Sequence, residues 1–355
     1  MTRRKARPNS IAANQPDSLK PDSKIRVVHP PLTYGNPGLF RYELPDEAPD
    51  SGNIFLKLKA EITDPIDFLV AAVQQADLVM IGAGLNLSKA AFANDDLPDG
   101  QLYWTGMYQD FIGMHELPDL KTGSHAIYYS LEEFWGFWSK LIWLGRFTDF
   151  HSLIYHELLD LVEKKDYFVV TSNFDHLFER NGFDELRVFN KEGDLGRLQC
   201  QHPCCPKTYD SRPYIIQMCH AQKDRKVPYE MIPRCPHCGR ELVPSIHLSE
   251  RFTHDPAWEE AHKRFLQTSE RGRHLNTLYL ELGVTDAKPG QIKFPIWKET
   301  EINPRSFLIT INDHQSAIPD TIKDRALCIE ADLMDVFAVL KEKRERSTKT
   351  ANENK

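Results

Sequence analysis

Apolar residues along this chain fall into short unbroken runs separated by stretches of helical spacing. Asp64 is a candidate N-cap with proline next, and DFLVAAVQQA after it places apolar residues on one helical face. ADLVMIG then reads as a buried strand, an apolar run ending in glycine. YFVVTSN (Tyr167 to Asn173), TLYLELG (Thr277 to Gly283), SFLITIN (Ser306 to Asn312) and ALCIEAD (Ala326 to Asp332) repeat that form. Short apolar strands alternating with helices predict an α/β fold, a parallel sheet covered on both faces. Ligands of such sheets bind beyond the carboxyl ends of the strands, so the polar and glycine residues closing each run are the places to look.

The ends read differently. Residues 1 to about 50 are dense in proline, from Pro8 to Pro49, with little apolar periodicity, which predicts a disordered or loosely draped arm. From Lys341 on, KEKRERSTKTANENK reads as a helix fraying into a polar tail.

Composition narrows the function classes. The 355 residues are 41% hydrophobic and 10% aromatic, enough for a core, and the formal charge is −7. An acidic balance argues against a nucleic-acid or membrane-surface binder, whose footprint is basic. No run of about 18 apolar residues occurs, so no membrane span is expected. The amino terminus lacks the apolar segment of a secretory signal. Its Arg3, Arg4, Lys5 and Arg7 read as a solvated tail, with an organelle transit or nuclear signal as the alternative. An intracellular protein is expected, cytoplasmic first and mitochondrial second.

Three segments carry candidate chemistry. Ile81-Gly82-Ala83-Gly84-Leu85-Asn86-Leu87-Ser88 closes the first strand, where glycines let backbone approach a pyrophosphate and the next helix start favours its charge. A tight turn without ligand is the alternative, since the full GxGxxG fingerprint is absent. Thr171-Ser172-Asn173-Phe174-Asp175 closes the second strand; its Asn and Asp could bind an amide or sugar hydroxyls, or form an Asx turn capping the next helix. Cys200-x3-Cys204 and Cys235-x2-Cys238 are two close pairs of the seven cysteines, a spacing suited to tetrahedral zinc. Four thiolates leave no open position, so the metal is expected to be structural. Cys205 is an alternative to Cys204; Cys219 and Cys328 read as loop and core thiols.

In combination and order these segments resemble the sirtuins, over roughly residues 64 to 340. GAG resembles the start of the sirtuin cofactor loop, and TSNFDHLFERNG the stretch T-Q-N-x-D-x-L-x-x-x-A-G. Leu282-Gly283-Val284-Thr285 resembles a degenerate phosphate turn, and Ile311-Asn312 the strand end at the adenosine ribose. The resemblance implies a Rossmann-like NAD-binding domain over 61–195 and 244–340, with a helical insertion at 91–160 and a zinc ribbon at 196–243. The arm would be 1–60 and the tail 341–355. It implies NAD bound by Gly82, Ala83, Gly84, Ser88, Ser172, Phe174, Gly283, Thr285 and Asn312. Asn173 would hold the nicotinamide ribose, and Phe174 and Asp175 would meet the carboxamide.

Two departures refine it. Sirtuins place a His-Gly pair 19 residues after that Asn and 8 before the first zinc cysteine; here the position is Glu192, followed by Gly193. The G-I-P-D-F-R continuation is replaced by Ala90 to Asp95. With the Trp-rich helix Glu132–Ser139, these resemble the macrodomain-linked sirtuins, associated with mono-ADP-ribosylation of a lipoyl-carrier protein like the glycine-cleavage H protein. That class carries Gln where this chain has Glu. The implied partners are a protein acceptor, such as a lipoylated carrier, and a separate macrodomain hydrolase. A Glu at an ordinary pKa near 4.3 is a base weaker than His by about 3 kcal/mol, but it can stabilise positive charge at the anomeric carbon. The expectation is therefore an NAD-dependent protein mono-ADP-ribosyltransferase with Asn173, Glu192 and Asp175 at its centre. A deacylase using Glu192 or water, and an inactive NAD or ADP-ribose binding module, are the rivals.

Overall fold

A computed structural model describes residues 25–28, 52–93, 110–111, 126–247, 249–286, 288–314 and 317–353. Most of the predicted arm, and Asn94 and Asp95, lie outside these residues.

The five apolar runs form strands β2 (Leu78–Ala83), β3 (Tyr167–Thr171), β8 (Thr277–Leu282), β9 (Phe307–Asn312) and β10 (Ala326–Glu330). Together with β4 (Val188–Asn190) they pair in parallel. β1 (Arg26–Val28) adds antiparallel to β10, giving the order β1-β10-β9-β8-β2-β3-β4. Apolar side chains pack against both faces. One core joins Phe68, Val79, Val169, Leu280, Ile309 and Phe337; the other joins Met80, Phe168, Tyr279, Leu308 and Ile296. The chain moves from β2 outward to β3 and β4, then returns to the other side of β2 for β8, β9 and β10. That reversal opens a crevice at the carboxyl ends of β2 and β8, where such sheets bind ligands.

A second sheet, β6 (Thr208–Asp210), β5 (Gly193–Cys200) and β7 (Leu242–Ile246), carries the cysteines. Its core is shared with the Trp-rich helix Leu131–Ile142: Trp135, Phe137 and Trp138 bury against Leu198, Ile215, Met218 and Leu242. The aromatic helix is thus core packing. A π-helical turn, Trp143–Phe147, extends it.

The amino-terminal span differs from expectation. Within the span read as an arm, Ile54–Glu61 is a helix capped by Asn53, which accepts from Phe55 N and Leu56 N and donates to Pro304 O and Ser306 O. Phe55 packs 5.9 Å from Phe307 between ring centroids. Proline density masked these long-range partners, which the local pattern cannot reveal. The polar tail is also helical: Leu333–Glu353 is one helix, and its Lys343 reaches Asp64 and Asp67 while Arg344 pairs with Glu157 and Asp160.

Candidate active site and cysteine centre

Three strand-end loops converge on the crevice. The helix Leu85–Ala93 follows β2 directly, and the turn after β8 packs backbone to backbone on its start. Asn86 N donates to Gly283 O and Gly84 N to Leu282 O. Gly283 has φ +61°, and a Cβ there would lie 2.3 Å from Leu87 N; a Cβ on Gly84 would lie 2.6 Å from Val284 Cα. Only glycine allows both the left-handed turn and this approach. Asn312, at the tip of β9, ties the loops together: its Nδ2 donates to Val284 O and its Oδ1 accepts from Asn86 Nδ2.

Gly82 departs from the expected contact role. It lies inside β2, and a Cβ there would sit 2.4 Å from Ile296 Cδ1 and 2.6 Å from Ile292 Cγ2. This glycine lets helix Lys293–Ile302 lie close on the sheet face, away from the strand ends. Ala83 likewise buries in the core, and its carbonyl accepts from Ser172 N and Thr171 Oγ1.

From β3 comes a polar relay. Asn173 Nδ2 donates to Gly84 O at 3.0 Å and to Ser88 Oγ at 2.8 Å; Ser88 Oγ donates to Asp175 Oδ2 at 2.6 Å. Asp175 Oδ1 accepts from Leu177 N, so both carboxylate oxygens are engaged. Burial pushes the Asp175 carboxyl above the ordinary range, while Ser88, Leu177 N, His176 and Arg180 pull it back. Both protons of the Asn173 amide are donated inward. What this side chain can still offer a ligand is its Oδ1, an acceptor suited to a ribose hydroxyl. Phe174 packs toward the second core, and its carbonyl accepts from Leu195 N, joining the relay to β5.

Glu192 follows β4. Lys191 N donates to Thr171 O, which sets position 192 just beyond the carboxyl edge of β3. Its side chain is nearly buried, with Lys288 Nζ 3.5 Å from Oε2 and His247 Nδ1 3.6 Å from Oε1. Lys288 belongs to the loop after β8, so Glu192 bridges the crevice and the cysteine-bearing sheet. Thr285 is half-buried on the same loop.

That loop has a buried anchor which sequence reasoning missed. Lys293, 1% exposed, holds Asp286 Oδ1 at 2.7 Å and lies 3.6 Å from Glu281 Oε1. Burial pushes the Glu281 carboxyl up to about 7, against the opposing pull of Lys293 and Thr310. The folded state thus keeps a proton that the unfolded chain, near 4.3, releases. Its contribution to stability is full below about pH 4 and is lost as pH rises through 7. We expect Glu281→Gln to flatten that decline, worth on the order of 3 kcal/mol, in urea midpoints taken from pH 5 to 8. Parallel curves for the two proteins would contradict it. An apolar strand containing one Glu, twelve residues ahead of the lysine that opens the next helix, was the available signal.

The four sulfurs of Cys200, Cys204, Cys235 and Cys238 lie within 4.8 Å of one another. Cys200 and Cys238 are 3.5 Å apart and Cys204 and Cys235 3.6 Å, near the roughly 3.8 Å edge of a tetrahedron with 2.3 Å zinc–sulfur bonds. Cys205 groups instead with Cys204 and His237. Burial raises the Cys235 thiol, yet the N–H groups of Cys238 and His237 and the Tyr209 hydroxyl bring it down to about 6. Burial pushes the Cys200 and Cys204 thiols up, so it is the four-sulfur set at tetrahedral spacing that fits a structural divalent metal.

No protein-family model matches the chain. It is 29% identical over 286 residues to a protein ADP-ribosyltransferase from Staphylococcus aureus (strain Mu50 / ATCC 700699), covering 79% of this chain and 88% of that protein. A probable bifunctional ADP-ribose hydrolase/ADP-ribosyltransferase from Fusarium oxysporum f. sp. cubense is 29% identical over 140 residues, 37% of this chain and 23% of that protein. Solved structures of a sirtuin studied for substrate affinity and of a Sir2 enzyme studied for mechanism and regulation each align with TM-score 0.49. Their identities are 17% and 16%, over 79% and 80% of this chain and 99% of theirs. Among the described residues no helix is long and apolar enough to cross a membrane. The similarity to the staphylococcal protein extends over most of both chains and agrees with the resemblance to a protein ADP-ribosyltransferase carried by the motifs.

Proposed function

We propose that this chain is an NAD-dependent protein mono-ADP-ribosyltransferase, acting on a lipoyl-carrier protein like the glycine-cleavage H protein. The observation that carries the reading is the Glu192 carboxylate, nearly buried at the crevice and 19 residues after Asn173, the spacing at which a deacylase carries its histidine. The similarity to the staphylococcal transferase supports it.

NAD is a substrate in this reading. Gly84, Ser88, Ser172, Phe174, Gly283, Thr285 and Asn312 border its site, with the Gly283 turn toward the phosphates and the Asn312 end toward the adenosine ribose. Asn173 Oδ1 accepts from the nicotinamide ribose, and Asp175 fixes the relay that holds it. The bond from C1′ to nicotinamide breaks with its electron pair leaving on the nicotinamide nitrogen. Positive charge then develops at C1′, and the Glu192 carboxylate stabilises it in a site largely closed to water. The acceptor nucleophile forms the new bond to C1′. Cys200, Cys204, Cys235 and Cys238 would hold a structural zinc that ties β5 to β7 and takes no part in bond making. The division into an NAD-binding sheet of 61–195 and 244–340, with its insertion, and a zinc module of 196–243 belongs to the same proposal, as does a separate macrodomain partner that removes the modification.

Variants at position 192 test this reading against deacylation. Glu192→Gln loses the negative charge but keeps acceptor capacity at the ribose, so it should retain part of wild-type transfer, more than Glu192→Ala does. Glu192→Ala should lose on the order of 100-fold. A deacylase with Glu192 as base behaves oppositely: Glu192→Gln eliminates activity and Glu192→His improves it. Scoring the three variants for both reactions decides between the two.

A further inference from the structure

We propose that His247 is the general base that takes the proton from the acceptor nucleophile, oriented for that task by Glu192. The inference rests on the ADP-ribosyl transfer reading above. The chain has no histidine at position 192, but the second sheet brings one beside it. β5 and β7 are antiparallel with Gly193 opposite Ile246, so Glu192 and His247 are the next pair beyond the registered strands. His247 N donates to Glu192 O at 2.9 Å, which locks the two backbones together. The side chains then face each other, His247 Nδ1 3.6 Å from Glu192 Oε1. Among the described residues that Oε1 is buried without a hydrogen-bond partner, which leaves it as an acceptor for an imidazole N–H. Lys288 lies at the other oxygen, Oε2, and the neighbouring Lys191 also acts on the carboxylate electrostatically. Phe252 stacks on the imidazole, with ring centroids 5.3 Å apart and planes within 18°, and fixes its plane.

These contacts define a division of labour. An Nδ1–H turned to Glu192 leaves Nε2 with its lone pair. The His247 side chain is 40% exposed, where Glu192 is 7%, so the imidazole is the member of the pair that an incoming protein group can reach. Glu192 stays inward, facing the sugar. As the bond from C1′ to nicotinamide breaks, the nucleophile X–H bonds to C1′ through X and gives its proton to His247 Nε2. The imidazolium formed is balanced by Glu192 and returns the proton to water. A base of this kind is needed only by nucleophiles that carry a proton, so the acceptor class is a hydroxyl, a thiol, a nitrogen group or water rather than a carboxylate.

Azide separates this role from a structural one, because it is an anion and needs no base. The full-length zinc-loaded protein is assayed for nicotinamide release from NAD with water as nucleophile, then with sodium azide added. His247→Gln and His247→Ala should both release nicotinamide about 100-fold or more slowly than wild type in water. Azide should restore both variants and yield ADP-ribosyl azide, while changing wild type little. Their zinc content and thermal midpoint should match wild type. Variants that keep the wild-type rate, or that fall and are not restored by azide, overturn the base role and leave the transferase reading standing. A wild-type protein that releases no nicotinamide and transfers to no acceptor overturns the transferase reading itself, and the base role with it.

Discussion

Asn173→Ala should lower nicotinamide release from NAD by about 100- to 1,000-fold while the protein stays folded. The size follows from the loss of one preorganised polar contact at a site where charge develops. The specificity follows from how the amide is held. Gly84 O and Ser88 Oγ take its two protons, so Oδ1 is directed by the protein before any ligand arrives. Alanine removes that acceptor and also takes a donor from Ser88, whose hydroxyl keeps its bond to Asp175. The stability cost is that of two buried partners losing a donor, roughly 1–3 kcal/mol each, which a domain with three buried apolar clusters can absorb. Steady-state kinetics and a denaturation curve on the same sample check both halves. A variant that retains full NAD turnover would move the reacting sugar away from Asn173.

Zinc removal should have the second large effect, on stability. One equivalent is expected per chain. Cys235→Ser or Cys238→Ser should release it and unfold the module around β5 and β7. Zinc-finger peptides gain about 10–16 kcal/mol of apparent binding energy at pH 7, and here the ligands share a core with the Trp-rich helix. Several kcal/mol of that should therefore appear as lost stability. Cys205→Ser should leave the metal in place, because Cys205 groups with Cys204 and His237 instead of completing the tetrahedron. Elemental analysis with thermal melts measures this, and metal-free protein of unchanged stability would contradict it. Glu192 and His247 hang from the edges of these strands, so loss of zinc should also depress turnover.

What was legible in the sequence was local or periodic. The strands β2, β3, β8, β9 and β10 announce themselves because a parallel strand buried on both faces is an unbroken apolar run. The cysteine pairs are visible because metal ligands come in short spacings. Asn173 and Asp175 stand two residues apart on one loop. What escaped depends on contacts between distant segments. Nothing near residue 26 marks an antiparallel partner for β10, and nothing near Asn53 marks its bonds to Pro304 and Ser306. Gly82 looks like part of a phosphate loop, and only the helix Lys293–Ile302 lying on it reveals a packing glycine. Lys293 reads as a surface residue until Glu281 and Asp286 are seen around it. His247 is 55 residues from Glu192, and strand register alone brings them together.

The most direct measurement follows the ADP-ribosyl group itself. Purified protein is incubated with NAD labelled in the adenine ring, a lipoylated carrier protein and an acetylated peptide, and the label is traced by mass spectrometry. Covalent transfer to protein predicts label on the carrier, one ADP-ribosyl group per molecule, with nicotinamide released in equal amount. Label recovered as O-acetyl-ADP-ribose, with the peptide deacetylated and the carrier unmodified, would contradict it.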